Sequence, residues 1–440
     1  MEKWYDLTVL QVVKVAVIGA GWAGCAAAVE ATRLGHHVSL FEASRTLGGR
    51  ARRVDVMHKG KLLALDNGQH ILIGAYSETL KLMADVGVNI PGSLLRLPLT
   101  LRFPDGNGLA LPNLPAPFDA LAGILTARGW SWLDKLSLLK VAIGWQLTGF
   151  KCGAQQSVTS LCKDLTPGIM ASLIEPLCVS ALNTPAERAS GQVFLRVMQD
   201  SLFANKGGSN LLLPLSDLST LMPNAAGEWL QRHGGEIKLG ARVQSIKHDK
   251  SRWHLATQTS EGPDESNTFD AVILACPPVE AARLVQSSDL PCDAWLAQTQ
   301  ALQFEAITTV YATAPGARLD QPMLALQASD AHPAQFVFDR GQLGGPPQLL
   351  AFVISASVGD SRALSKRVAA QAADQLGLTD VQLLQTIVEK RATFACTPGL
   401  QRPGMQLAQG LLACGDYVEG PYPATLEGAV RSGLAAARSL

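Results

Sequence analysis

Residues 15–42, VAVIGAGWAGCAAAVEATRLGHHVSLFE, limit what this chain can fold into more than any other stretch. A β-branched apolar run ends in a Gly-x-Gly-x-x-Gly turn at Gly19, Gly21 and Gly24. An alanine-rich helical run follows, then a second apolar run that ends on an acid, Glu42. A strand, glycine turn, helix and strand in that order make a parallel crossover unit built to hold a dinucleotide. Gly19 permits the tight turn, Gly21 lets backbone approach a pyrophosphate, and Gly24 lets the helix pack close to the strand. The unpaired N–H groups at the helix start, with the positive end of its dipole, then face the phosphates. Glu42 stands where a carboxylate accepts hydrogen bonds from ribose hydroxyls.

Composition narrows the class. A chain of 440 residues has material for two or three domains and a large core. Lys plus Arg and Asp plus Glu are each 37, so no net field favours nucleic acid. The eight cysteines form no Cys-x-x-Cys pair and no cluster with histidine, which argues against a metal site and fits reduced thiols in the cytoplasm. The first eleven residues lack a basic start followed by an apolar run, so no secretory signal is expected. No run of roughly 18 apolar residues is present, so no membrane span is expected either.

The dinucleotide pattern returns twice. Residues 211–275 read as alternating helix and strand, with a helix over 218–233, a hairpin across a polar loop at 260–268 and a buried strand at 271–275. The last forty residues hold a strand at 410–413, Gly415-Asp416, and a helix from about Thr425. Between these lie irregular blocks of short strands and Leu-, Trp- and Phe-rich helices. The interleaving predicts an α/β dinucleotide domain from 1–80, 206–290 and 400–440. A second, α+β substrate domain would come from 81–205 and 291–399. Directly after the ribose acid, Gly48-Gly49-Arg50 marks a flavin site, where the loop wraps the cofactor and Arg50 meets a phosphate.

These motifs resemble the flavin amine oxidase and phytoene desaturase superfamily. Within it, the chain resembles the squalene-associated FAD-dependent desaturases of hopanoid synthesis, also called hydroxysqualene dehydroxylases. The resemblance is carried by GAGWAG (19–24), FEAS (41–44), GGRAR (48–52), DNGQHILIGAY (66–76), ACPP (275–278) and CGDYVEGPYPATLEGAVRSG (414–433). It implies a Rossmann-like FAD-binding domain of the glutathione-reductase and amine-oxidase type with an interleaved substrate domain. By resemblance, Ala20, Trp22 and Ala23 join the three glycines at the pyrophosphate, and Ala43 joins Glu42 at the ribose. Gly49 and Arg50 then wrap the cofactor, Gly68 passes the flavin ring, Val243 meets adenine, and Ala275 lies near the adenosine half. Gly415 and Asp416 would lie along the ribityl chain and pyrophosphate. Thr425 and Leu426 would open a helix aimed at the flavin pyrimidine edge, where reduction leaves negative charge.

The resemblance further implies an apolar isoprenoid substrate, with reductive removal of an allylic hydroxyl as the leading reaction. A phytoene-type desaturase, an amine oxidase and a prenyl-lipid carrier are the other readings. Tyr417 and Tyr422 are the nearest thing to an amine cage. No second dinucleotide motif is present, so the electron donor is external and unidentified. His70 is the candidate proton donor, against the plainer reading of a hydrogen-bonded structural histidine. Asp66 reads as a turn anchor, Glu427 as either a dipole-stabilised helix acid or a flavin-side group, and Cys276 and Cys414 as small buried fillers. Residues 118–150, with Trp130, Trp132, Trp145 and Phe150, read either as core helices or as a surface lying peripherally on a bilayer.

Overall fold

The computed structural model describes residues 12–440 apart from 116, 205–206, 250 and 260–261. The amino-terminal segment read for a secretory signal therefore lies outside the described residues. Six strands form the central sheet: β1 (Lys14–Ile18), β2 (His37–Glu42), β3 (Glu236–Leu239), β4 (Ala271–Leu274), β5 (Gln406–Ala408) and β6 (Leu411–Ala413). Their order is β3-β2-β1-β4-β6-β5, parallel except for the β5 edge. Val17 faces Leu40 on one side and Ile273 on the other. Because β1 and β4 are buried throughout apart from Lys14, both read as unbroken apolar runs.

Six of the helices are α1 (Trp22–Arg33), α2 (Ser77–Asp85), α3 (Phe118–Thr126), α4 (Trp132–Leu147), α5 (Glu175–Leu182) and α6 (Leu426–Ala437). The alanine run of α1 is buried, and α6 crosses it so closely that a Cβ on Gly433 would sit 2.2 Å from the Ala23 carbonyl oxygen. The first and last segments of the chain thus share one apolar core.

The second lobe is built on a five-stranded antiparallel sheet. Its strands are Met323–Ala325, Phe336–Asp339, Leu349–Ile354, Phe304–Thr313 and Gln382–Phe394, in that order. The helix Ser361–Leu376 covers one face. A small sheet joining Leu72–Ile73, Leu211–Pro214 and Leu94–Leu97 draws its strands from both sides of the expected boundaries near 80 and 205.

Two sequence expectations need correction. The helix expected over 218–233 is broken into Leu218–Leu221 and Pro223–Arg232. Pro223 has no N–H to give and disfavours helical dihedrals at Met222, which sits at φ −148°, so a new helix begins at the proline. The polar stretch expected as a loop at 260–268 is largely a strand, Gly262–Phe269, paired with Arg252–Thr259. It pairs along its length with that neighbour and carries Phe269 into the core, a pairing that apolar alternation does not announce in so polar a stretch. Residues 260–261, inside the expected loop, lie outside the described residues.

Candidate active site

The glycine turn forms as its spacing requires. Gly19 has φ +107°, and a Cβ on Gly24 would stand 1.8 Å from the Gly19 carbonyl oxygen. The second glycine loop docks directly on the first. Gly48 N–H donates to the Ala20 carbonyl at 2.8 Å, and a Cβ on Gly49 would lie 3.1 Å from the Gly21 Cα. Two loops without side chains therefore make a bare backbone floor where a flat or anionic group can approach main-chain atoms.

One cavity runs from this floor into the second lobe. Among the expected cofactor residues, it is lined by Gly19, Gly21, Trp22, Ala23, Glu42, Gly49, Arg50, Gly68, Ala275, Gly415, Asp416, Thr425 and Leu426, and also by His70. Four expected residues do not line it. Ala20 is buried and gives its N–H to Glu42 Oε2 at 2.8 Å, and Gly24 acts only by letting α1 approach. Ala43 is exposed because it falls on the outward side after β2 ends. Val243 is buried, and its carbonyl accepts from the Arg283 guanidinium at 2.8 Å. It is Ala241 instead whose N–H reaches the Glu42 carbonyl, at 2.9 Å.

Arg50 lines the cavity and is held there by protein partners. Its Nη2 meets Asp416 Oδ1 at 2.6 Å and its Nη1 donates to the Ala392 carbonyl at 2.6 Å. Asp416 is thereby fixed at the cavity wall, and charge-assisted bonds of this kind are the strong ones. Thr425 caps α6, its Oγ1 accepting from Gly428 N–H at 3.0 Å, so the helix start opens on the cavity at Thr425, Leu426 and Ala429. The loop before it is held in an unusual conformation, with Tyr422 and Ala424 both at φ +58°. Left-handed non-glycine residues of this kind gather at working sites.

Glu427 has the bland role. It is fully buried and accepts from the N–H groups of Glu78 and Thr79 at 3.1 and 2.9 Å, and from Arg431 Nε at 2.6 Å. It therefore ties α6 to the start of α2 and is turned away from the cavity. Asp66 is likewise an anchor, accepting from Leu218 N–H at 2.8 Å, and burial pushes its carboxyl up to about 6. Cys276 lines the cavity, but burial pushes its thiol up to about 12, so no thiolate is offered there. Tyr417 lines the cavity, whereas Tyr422 packs edge-on against Tyr76 at 6.3 Å, so the two make no facing pair.

His70 Nδ1 lies 2.8 Å from the Gly68 carbonyl oxygen. Burial lowers its pKa, so the neutral ring donates from Nδ1 to that carbonyl and leaves Nε2 free to act on a bound molecule. Sequence reasoning missed Glu389, in the long strand Gln382–Phe394. It lines the cavity and accepts from Asn67 Nδ2 at 3.0 Å, which sets the residue before Gly68. Nothing local in QTIVEKRATF marks this glutamate; only the sheet brings it to Asn67. The far wall is apolar, with Ile307, Phe336, Phe338 and Val353.

The residues present fit FAD. The bare glycine floor, the Glu42 carboxylate and the capped helix start lie along one cavity. Gln69 Nε2 and Tyr417 Oη line it as buried polar atoms with no partner, as expected of groups that meet a bound molecule. Among the described residues no cluster of His, Cys, Asp and Glu is placed to hold a metal, and no helix is long and apolar enough to cross a membrane.

Comparison with known proteins agrees with this geometry. The chain is 26% identical to a hydroxysqualene dehydroxylase of Sinorhizobium fredii, across 96% of this chain and 97% of that one. A zeta-carotene desaturase of Synechocystis is 26% identical over 53% of this chain and 50% of its own length. In three dimensions, an oxidoreductase from Methanosarcina mazei superposes with a TM-score of 0.72 at 17% identity, covering 97% of this chain and all of that one. The sequence pattern of flavin containing amine oxidoreductases matches residues 22–440, and the chain belongs to that family.

Proposed function

We propose that this FAD-dependent oxidoreductase is a hydroxysqualene dehydroxylase, replacing an allylic hydroxyl of a long polyisoprenoid with hydrogen. The observation that carries the reading is the end-to-end match to a hydroxysqualene dehydroxylase, where the desaturase match spans only half of either chain. The cavity supports it: an apolar wall for a hydrocarbon meets a cofactor floor at a single imidazole.

When bound and reduced, FAD supplies the hydride for the allylic carbon. The chain's own residues do the rest. Hydroxide is a poor leaving group, so the protonated form of His70 gives its Nε2 proton to the hydroxyl oxygen, which departs as water and leaves the ring neutral with Nδ1–H on Gly68. With Nδ1 held on Gly68, only Nε2 takes part in that transfer, and the ring regains its proton from solvent. With FAD bound, the start of α6, which opens on the cavity, would stabilise negative charge that reduction leaves on the flavin. Ile307, Phe336, Phe338 and Val353 keep water from the electron-poor carbon once the C–O bond weakens.

Product analysis tests the reading. Reduced protein and hydroxysqualene under anaerobic conditions should yield squalene. The partial likeness to zeta-carotene desaturase favours a second reading, oxidation of a polyene. Under that reading only the oxidised protein would act, adding a double bond to its substrate.

A further inference from the structure

Helices α3 and α4 carry an apolar surface that no part of the described chain covers. Among the described residues, nine of the seventeen exposed large hydrophobic side chains fall between Leu114 and Leu147. On α4, Leu136, Ile143 and Leu147 lie on one helical stripe that Trp132 begins, and Trp132 and Leu147 are 70% and 83% exposed. The opposite stripe, Leu138 and Trp145, is buried in the lobe. A helix apolar on both faces is normally covered on both. On α3, Phe118, Leu121 and Leu125 are also exposed. The two helices share one surface, because Lys135 Nζ reaches the Leu125 carbonyl at 2.8 Å and lies over the Trp132 ring at 5.3 Å.

Charge decides what covers it. Residues 114–151 hold four cations, Arg128, Lys135, Lys140 and Lys151, and two acids, Asp119 and Asp134. Arg128, Lys140 and Lys151 are exposed, with Lys140 on the apolar stripe itself. Neither acid lies on the apolar stripe. Asp119 is buried, and Asp134 accepts from Ser131 and Thr166. Apolar side chains interleaved with outward cations, with no acid on the stripe itself, complement a lipid surface bearing anionic headgroups.

The surface also stands one helical segment away from the cavity. Trp130 Nε1 donates to Ser172 Oγ at 3.0 Å, and from Ser172 the chain runs straight into α5, whose Val179 and Ala181 line the cavity. We propose that the α3–α4 surface docks on an anionic phospholipid bilayer, so that an apolar substrate passes from lipid towards the cavity. Docking itself stands on the exposed surface; its purpose rests on the isoprenoid reading above.

Flotation of the FAD-loaded full chain with vesicles tests this, using phosphatidylcholine alone and with about a third phosphatidylglycerol. The chain should float with the anionic vesicles, and less so in high salt. Leu136→Glu with Ile143→Glu should lower flotation at least tenfold while leaving the thermal midpoint, flavin spectrum and turnover of detergent-dispersed substrate unchanged. Lys140→Glu should weaken flotation only on anionic vesicles. A chain that stays in the dense fraction would overturn the proposal. So would light scattering that shows a dimer which the double variant splits, since a second copy would then cover the surface. A chain that floats but makes no squalene would leave docking intact and remove the substrate reading instead.

Discussion

His70 presents one ring nitrogen to the cavity, because the other is held by the Gly68 carbonyl. Its pKa is lowered, chiefly by burial, so the protonated form gains ground only as pH falls below the ordinary imidazole range. Turnover should therefore rise as pH falls and level off at an apparent value below 6.5, as read in a pH–rate profile under saturating substrate. His70→Ala should keep its flavin spectrum yet lose about 10²-fold or more in turnover and lose the pH dependence. Unchanged turnover would remove His70 as the donor. Asp66 makes a second residue-scale prediction. Its folded carboxyl keeps a proton up to about pH 6, against an ordinary 3.8, so its contribution to stability is complete below 3.8 and gone above 6. Asp66→Asn should raise the thermal midpoint above pH 6, with the gain vanishing near pH 4. At this scale the sequence was legible where chemistry is local. The three glycines and Glu42 sit in one unbroken segment, where Gly19 makes the turn, Gly24 lets the helix approach, and Gly21 and Glu42 face the cavity. The meeting of Glu389 with Asn67, and of the Val243 carbonyl with Arg283, depends on tertiary packing, which no short motif encodes.

The elements show the same division. The start of α6 could be read because Thr425 is a good cap ahead of a regular apolar pattern, and the structure places it as the cap. The break at Met222 was also written in the chain, as Pro223, but apolar periodicity across 218–233 masked it. For Glu427, sequence left a flavin role and a helix role level, since both put an acid in a first turn. The choice was made by α2, which brings two free N–H groups to the carboxylate. Glu427→Ala leaves those donors and Arg431 without their shared partner. It should cost about 3 kcal/mol in denaturant unfolding, the order expected for lost charge-assisted hydrogen bonds. A loss under half that would mean water replaces the carboxylate at the α2 start.

At the scale of the whole molecule, Arg50 joins three distant parts of the chain. It leaves the glycine loop of the first segment, pairs with Asp416 in the last, and reaches the Ala392 carbonyl of the second lobe. Arg50→Ala should lower both flavin retention on gel filtration and the thermal midpoint. Arg50→Lys should restore little of either, because an ammonium does not reproduce the planar fork. Retention equal to the parent in both variants would show that the lobes close without this residue. The interleaved plan was legible because the dinucleotide pattern recurs near both ends and in the middle. The lobe boundaries were less so, since one small sheet takes strands from either side of them.

The most direct measurement is an anaerobic spectral titration of the photoreduced protein with hydroxysqualene. The oxidised flavin band should return in proportion to the squalene formed, one flavin per product. A flavin that stays reduced while substrate is unchanged would contradict reductive dehydroxylation and turn attention to oxidation of a polyene.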